Sequence, residues 1–155
     1  MLKEKEQIYK LFKPQLTPKE MLQLGVFGGS YFNKEQIKEF PKSWFQKARL
    51  SEKFDVKLNR FKVKSGLSRQ EWIKKGWIFK EDPLGWFQWY CHFFQGRRTS
   101  DDARQIDRWT KFTDPNGRFV KPLLKKCRAA KTSPNDPSVS PVTRQNLLHW
   151  GRLRL

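Results

Sequence analysis

Six polar residues within a dozen positions, Arg97, Arg98, Asp101, Asp102, Arg104 and Arg108, form the richest chemistry-bearing cluster in the chain. Guanidinium forks match phosphate oxygens two at a time, so four arginines here would suit a phosphate clamp. Arg97 and Arg98 follow directly on Gly96, where a helix would stop and side chains would project freely. Asp101 and Asp102 allow two other readings. They could pair with the arginines and knit two helices together, or serve as the catalytic carboxylates of an enzyme acting on nucleic acid, a nuclease or a base-modifying enzyme. No third carboxylate is tied to them by sequence, and nothing in the chain identifies an enzyme active site.

A second basic stretch lies downstream. From Arg118 to Leu155 the basic residues Arg118, Lys121, Lys125, Lys126, Arg128, Lys131, Arg144, Arg152 and Arg154 face a single acid, Asp136. The whole chain carries 33 Lys and Arg against 15 Asp and Glu, a net charge of +18 over 155 residues. Such self-repulsion opposes a compact state unless an acidic partner neutralises it. Nucleic acid is the expected partner, with RNA favoured over DNA, and an acidic protein bound by an adaptor is the alternative. A solvated basic surface is the bland reading of the same charge. Aromatic residues could add base stacking. Phe27, Tyr31, Phe32 and Trp77 lie beside glycines outside the regular helical patterns and are the better candidates, whereas Trp72, Trp86, Trp89 and Trp109 recur at helical spacing and are expected in the core.

Other chemistries find little support. Cys91 and His92 are neighbours and would point about 100° apart on a helix, there is no Cys-x-x-Cys pair, and the expectation is no metal, no cofactor and two buried free cysteines. His92 and His149 sit in apolar surroundings with no Ser or Asp at the spacing of a known nucleophilic motif. Gly28-Gly29 matches neither a P-loop nor a dinucleotide fingerprint and suits a tight turn. Met1 to Lys10 lacks the apolar core of a secretory signal, and two cysteines allow one disulfide at most, so an intracellular, reducing compartment is expected. The longest apolar run, Trp86 to Phe94, is far shorter than the roughly 20 residues that cross a bilayer.

The elements that must position these residues are punctuated by capping signals. Thr17-Pro18-Lys19-Glu20 opens a short helix that Gly25 stops, and Asn33 with Gln36 opens another that carries Ile37 and Phe40 inward as far as Pro41. A further turn holds Trp44 and Phe45. Phe54, Val56 and Leu58 alternate with charged residues as a minor strand would, though without an evident partner. Ser68 with Glu71 predicts a helix carrying Trp72 and Ile73 to Gly76. The central helix runs between Asp82-Pro83 and Gly96, with Trp86, Trp89, Tyr90 and Phe93 on one face and Phe87, Cys91 and Phe94 on an adjoining one. Ser100 is the expected cap of the next helix, which turns Ile106 and Trp109 inward and Arg104 and Arg108 outward. After a turn at Asp114 to Gly117, Val120, Leu123, Leu124 and Cys127 have helical spacing. A last helix starts at Ser140-Pro141 and presents Leu147, Leu148 and Trp150 before Gly151.

The expected architecture is mainly α, one irregular helical domain over 1–131 built round a buried aromatic central helix. A Pro/Ser linker over 132–141 and a C-terminal helix with a basic tail over 142–155, packed on the domain or on a partner, complete it. At this length folding buries roughly 70% of the unfolded chain's surface, enough for a core without staples.

The segments Gly25-Val26-Phe27-Gly28-Gly29-Ser30-Tyr31-Phe32, Glu39-Phe40-Pro41 with Trp44-Phe45, Gly85-Trp86-Phe87-Gln88-Trp89-Tyr90-Cys91, Gly96-Arg97-Arg98, Asp101-Asp102, Arg104-Gln105-Ile106 and Arg108-Trp109 together resemble a family of small uncharacterised Trp-rich proteins of bacteria, fungi and viruses. The resemblance runs over about Gly25 to Trp150. It implies a shared fold and a shared site near Gly96 to Trp109 and names no reaction. The functional expectation is a basic nucleic-acid-binding protein, a non-enzymatic structural constituent of a large nucleoprotein assembly with other proteins as neighbours and no membrane partner.

Overall fold

The computed structural model describes residues 2–65 and 79–155. The predicted helix from Ser68 to Gly76 and the stacking candidate Trp77 lie outside the described residues. Among those described, seven α-helices and two short 3-10 helices account for the regular structure. They are α1 (Leu2–Leu11), α2 (Pro18–Gln23), α3 (Lys34–Ile37), 3-10 turns at Lys42–Trp44 and Val56–Leu58, α4 (Trp86–Phe94), α5 (Asp102–Thr113), α6 (Val120–Ala129) and α7 (Pro141–His149). None of the described helices is long and apolar enough to cross a membrane.

Both N-terminal capping boxes form. The Thr17 hydroxyl accepts from the Glu20 amide and the Glu20 carboxylate accepts from the Thr17 amide, while Asn33 and Gln36 do the same at α3. Two orphan amides are satisfied at the start of α2 and three at the start of α3, which lets helices of six and four residues hold their ends. Phe40 and Trp44 are buried, stacked on each other with centroids 5.6 Å apart.

Helix α4 is the axis of the fold. Trp86, Phe87, Trp89, Tyr90 and Cys91 are all buried. Phe12, just beyond α1, sets its ring edge-on to Trp86, Trp89, Tyr90, Phe93 and Trp109 at centroid distances between 5.0 and 6.2 Å, the arrangement that ring quadrupoles favour. Three of the polar tips find acceptors, Trp89 Nε1 donating to Asp102 (2.9 Å), Tyr90 Oη to the Leu16 carbonyl (2.7 Å) and Trp109 Nε1 to the Trp150 carbonyl (2.9 Å), while the buried Trp86 Nε1 has no hydrogen-bond partner among the described residues. Phe94 departs from expectation. It ends the helix half exposed (50%), against Trp44, rather than lining the core with Phe87 and Cys91.

Two further expectations are corrected. No strand forms at 53–58; the stretch becomes the 3-10 turn Val56–Leu58, with Asp55 accepting from the Lys57 amide and Phe54 exposed. Local chemistry wins because no strand among the described residues is there to complete a ladder. The segment instead lies across the glycine turn, where the Asp55 amide donates to the Gly28 carbonyl and the Ser51 amide to the Gly29 carbonyl. Gly28 has φ +73°, and a Cβ there would overlap the Phe54 ring, so the turn needs glycine twice over. At α5 the N-cap position falls to Asp101, not Ser100, and the Asp101 side chain makes no capping hydrogen bond; Thr99 ties down the helix start instead. The Thr99 amide and hydroxyl donate to the Asp102 carboxylate, and the Asp101 amide donates to the Thr99 hydroxyl.

A second, smaller core joins α6 to α7 through buried Val120, Leu123, Cys127 and Leu147, with Phe112, Phe119, Leu124, Val139 and Leu155 packed around it. Residues 132–141 are tied to it. Asp136 accepts from Thr132 and Ser138, and the buried Arg144 guanidinium donates to the carbonyls of Val139 (2.7 Å) and Pro134 (2.8 Å) and to Cys127 Sγ (3.2 Å). Leu147, Leu148 and Trp150 are buried within the chain, and the Gln15 side chain accepts from the amides of Leu153 and Arg154. Both cysteines are free and buried.

Candidate nucleic-acid interface

Helix α6 divides cleanly by chemistry. Val120, Leu123 and Cys127 recur at i, i+3 and i+7 and are buried against α7. Lys121, Lys125 and Arg128 recur at i, i+4 and i+7 and are exposed, so they share the opposite face. Pro122 costs nothing in the first turn, where its missing amide has no intrahelical partner. Lys126 stands to one side of the cationic stripe, and Arg118 and Lys131 extend the exposed basic surface beyond each end of the helix. No Asp or Glu occurs between Asp114 and Asp136. Accordingly none of these cations takes part in an ion pair among the described residues. The stripe spans about 10 Å at the rise of an α-helix.

The arginine cluster between α4 and α5 is built differently. Arg97 grips Asp82, which is fully buried, with Nη1 on Oδ1 (3.0 Å) and Nη2 on Oδ2. His92 joins the same group, Nδ1 lying 2.8 Å from Asp82 Oδ1 and Nε2 2.5 Å from Glu39 Oε1. The hydrogen bond to Asp82 raises the His92 pKa above its ordinary value; burial opposes this and Glu39 adds to it. Burial alone would raise Asp82, but the hydrogen bonds from His92 and Arg97 outweigh it and hold the carboxyl below the usual range. This knot of Glu39, Asp82, His92 and Arg97 was not expected from the sequence, in which its members are spread over 59 positions, from 39 to 97. The only signal was the pairing of Asp82 with Arg97 as charged residues at the two ends of one apolar helix.

The two other acids are also engaged. Asp101 receives Arg104 through Nε (2.6 Å) and Nη2 (3.0 Å), together with Gln105. Asp102 receives Trp89, Tyr9 and both donors of Thr99. Arg97 therefore pairs with neither Asp101 nor Asp102. Arg108 donates to Gln105 and lies over the Trp150 ring, and burial lowers its pKa to about 10, with the charge of Arg104 adding to the effect. Arg98 is exposed, its guanidinium 3.7 Å over the Phe93 ring and hydrogen-bonded to the Phe93 carbonyl. Arg152 donates to the Thr113 carbonyl (2.7 Å), whereas Arg154 is exposed.

The three stacking candidates among the described residues face inward. Phe32 is buried, and Phe27 and Tyr31 pack on Phe87 with centroids 4.7 and 5.1 Å away. Among the described residues no group of three His, Cys, Asp or Glu is placed to hold a metal ion. The structure thus brings Lys121, Lys125 and Arg128 together on one open face, and commits Arg97, Arg104, Arg108 and Arg152 to contacts within the fold. Compared with known proteins, the chain matches no family model, no curated protein and no solved structure.

Proposed function

We propose that this protein binds nucleic acid through the outer face of α6 and its flanks, acting as a non-enzymatic structural constituent of a larger nucleoprotein assembly. The observation that carries the reading is the stripe of Lys121, Lys125 and Arg128, left without acidic partners on a helix whose opposite face is locked into a core. A rigid row of unneutralised cations is the footprint of phosphate recognition, in which each contact releases condensed counterion. The engagement of Asp101 and Asp102 by tryptophan, tyrosine, threonine, glutamine and arginine donors favours a structural role for those acids over a catalytic one.

Fluorescence anisotropy with a labelled RNA tests this. Affinity should fall steeply with salt, log affinity against log salt having a slope of about 0.7 to 0.9 per phosphate contact. Binding that is absent, or indifferent to salt, overturns the reading and turns attention to an acidic protein partner.

A further inference from the structure

Behind the start of the α6 face stands a column of stacked planar groups. Trp150 stacks on Phe112 with centroids 5.0 Å apart at 23°, and Phe112 stacks on Phe119 at 3.9 Å and 15°. A guanidinium closes each end: Arg108 Cζ lies 5.3 Å from the Trp150 centroid, and Arg118 Cζ lies 4.8 Å from that of Phe119. Phe112 fills one face of Phe119, which leaves the other to Arg118. The inner end is anchored in the core by buried Trp150, while Arg118 is exposed and has no ion-pair partner among the described residues.

We infer that Arg118 is the open plate of this column and takes a stacked, unpaired nucleobase, so that the ligand of the α6 face is single-stranded nucleic acid. The inference rests on the proposed function and gives it a substrate class. Guanidinium planes stack on nucleobases, and every base offers a π-face whatever its identity. The Phe119 ring behind Arg118, 4.8 Å from its Cζ, restrains the guanidinium before binding, which reduces the ordering cost of the contact. Geometry couples the plate to the stripe. The Lys121 amide donates to the Gly117 carbonyl, so the chain already turns helically under Arg118, and Lys121 is the first cation of the row that follows. A base on Arg118 would send its strand along Lys121, Lys125 and Arg128. A base inside a duplex has both faces covered and cannot use the plate.

Arg118→Lys keeps the charge and removes the plane. Its affinity should be compared with that of the unaltered protein for three probes: a short mixed-sequence RNA strand, the same strand in a duplex, and inorganic polyphosphate as a chain of charge without bases. The substitution should weaken single-strand binding about five- to twenty-fold, as loss of one stacked base would. It should leave the salt slope, the polyphosphate affinity and the thermal melt unchanged, and the unaltered protein should prefer the single strand to the duplex. Equal single-strand affinity of the two proteins, or a duplex bound as tightly as the single strand, overturns the inference while the proposed function stands. Failure of all three probes to bind in a salt-dependent way overturns both.

Discussion

The corner between α4 and α5 and the outer face of α6 are both rich in arginine and lysine, and they use their charge in opposite ways. At the corner, Arg97 and Arg104 each find a buried carboxylate, and Arg108 is covered by Trp150 and Gln105. On α6, Lys121, Lys125 and Arg128 are exposed and lie in a stretch with no acid at all between Asp114 and Asp136. Charge inside a fold is a means of joining segments, because a desolvated pair with satisfied geometry tolerates no missing partner. Charge left on an open helical face does little for stability and is free to meet a ligand. Basic composition alone does not separate these uses; the position of the nearest carboxylate does.

The largest effect that would break this comparison concerns the core both regions rely on. Trp89 is fully buried and its Nε1 holds Asp102, so Trp89→Ala should destabilise the protein by about 3 to 5 kcal/mol. An unchanged denaturant midpoint would show that α4 is not the axis of the fold. Next in size is Asp82→Asn, which strips the charge from the partner of Arg97 and His92. A loss of about 2 to 3 kcal/mol is expected, below the full cost of breaking a buried pair because both cations reach solvent. Equal stability of the variant would mean that the corner does not hold the fold together.

The histidines sharpen the picture through pH. Asp82 and Glu39 raise His92, with Arg97 opposing and the Phe40 ring covering one side. Its stabilising contribution is therefore complete below its ordinary value of 6.5 and is lost as pH rises through the raised folded value. His149 runs the other way. Burial against Phe27 lowers it to about 4, so stability is lost as pH falls from 6.5 through that value. Melts across pH should show a maximum, and His92→Gln should flatten its alkaline side while leaving the acid side intact. Retention of both slopes in His92→Gln would contradict the knot.

The sequence revealed those parts of the fold that are set by neighbours along the chain. Thr17 with Glu20 and Asn33 with Gln36 are local capping devices, and the 3.6-residue recurrence of Trp86, Trp89, Tyr90 and Phe93 marks a buried helix whatever surrounds it. The alternation at 53–58 misled because period two also arises when a turn crosses another turn, and only a partner strand could have made it a ladder. The N-cap of α5 fell on Asp101 in place of Ser100, a one-position shift that no propensity distinguishes. The candidate site divides the same way. Apolar spacing from Val120 to Cys127 determines which α6 cations face outward, so that face can be read from the chain. The knot around Arg97 could not be, because Asp82 reaches it from the far end of α4 and Glu39 joins only through His92, from a separate segment.

On the proposed reading, binding resides in the open stripe and stability in the closed corner. A salt titration of RNA binding, run beside thermal melts on the Lys121→Ala, Lys125→Ala, Arg128→Ala triple variant and on Arg97→Ala, tests it most directly. The triple variant should lose about two to three units of slope in log affinity against log salt, with stability within about 0.5 kcal/mol of the unaltered protein. Arg97→Ala should keep its slope and melt at a lower temperature. The reverse pattern, an unchanged slope in the triple variant and a reduced one in Arg97→Ala, would contradict the account.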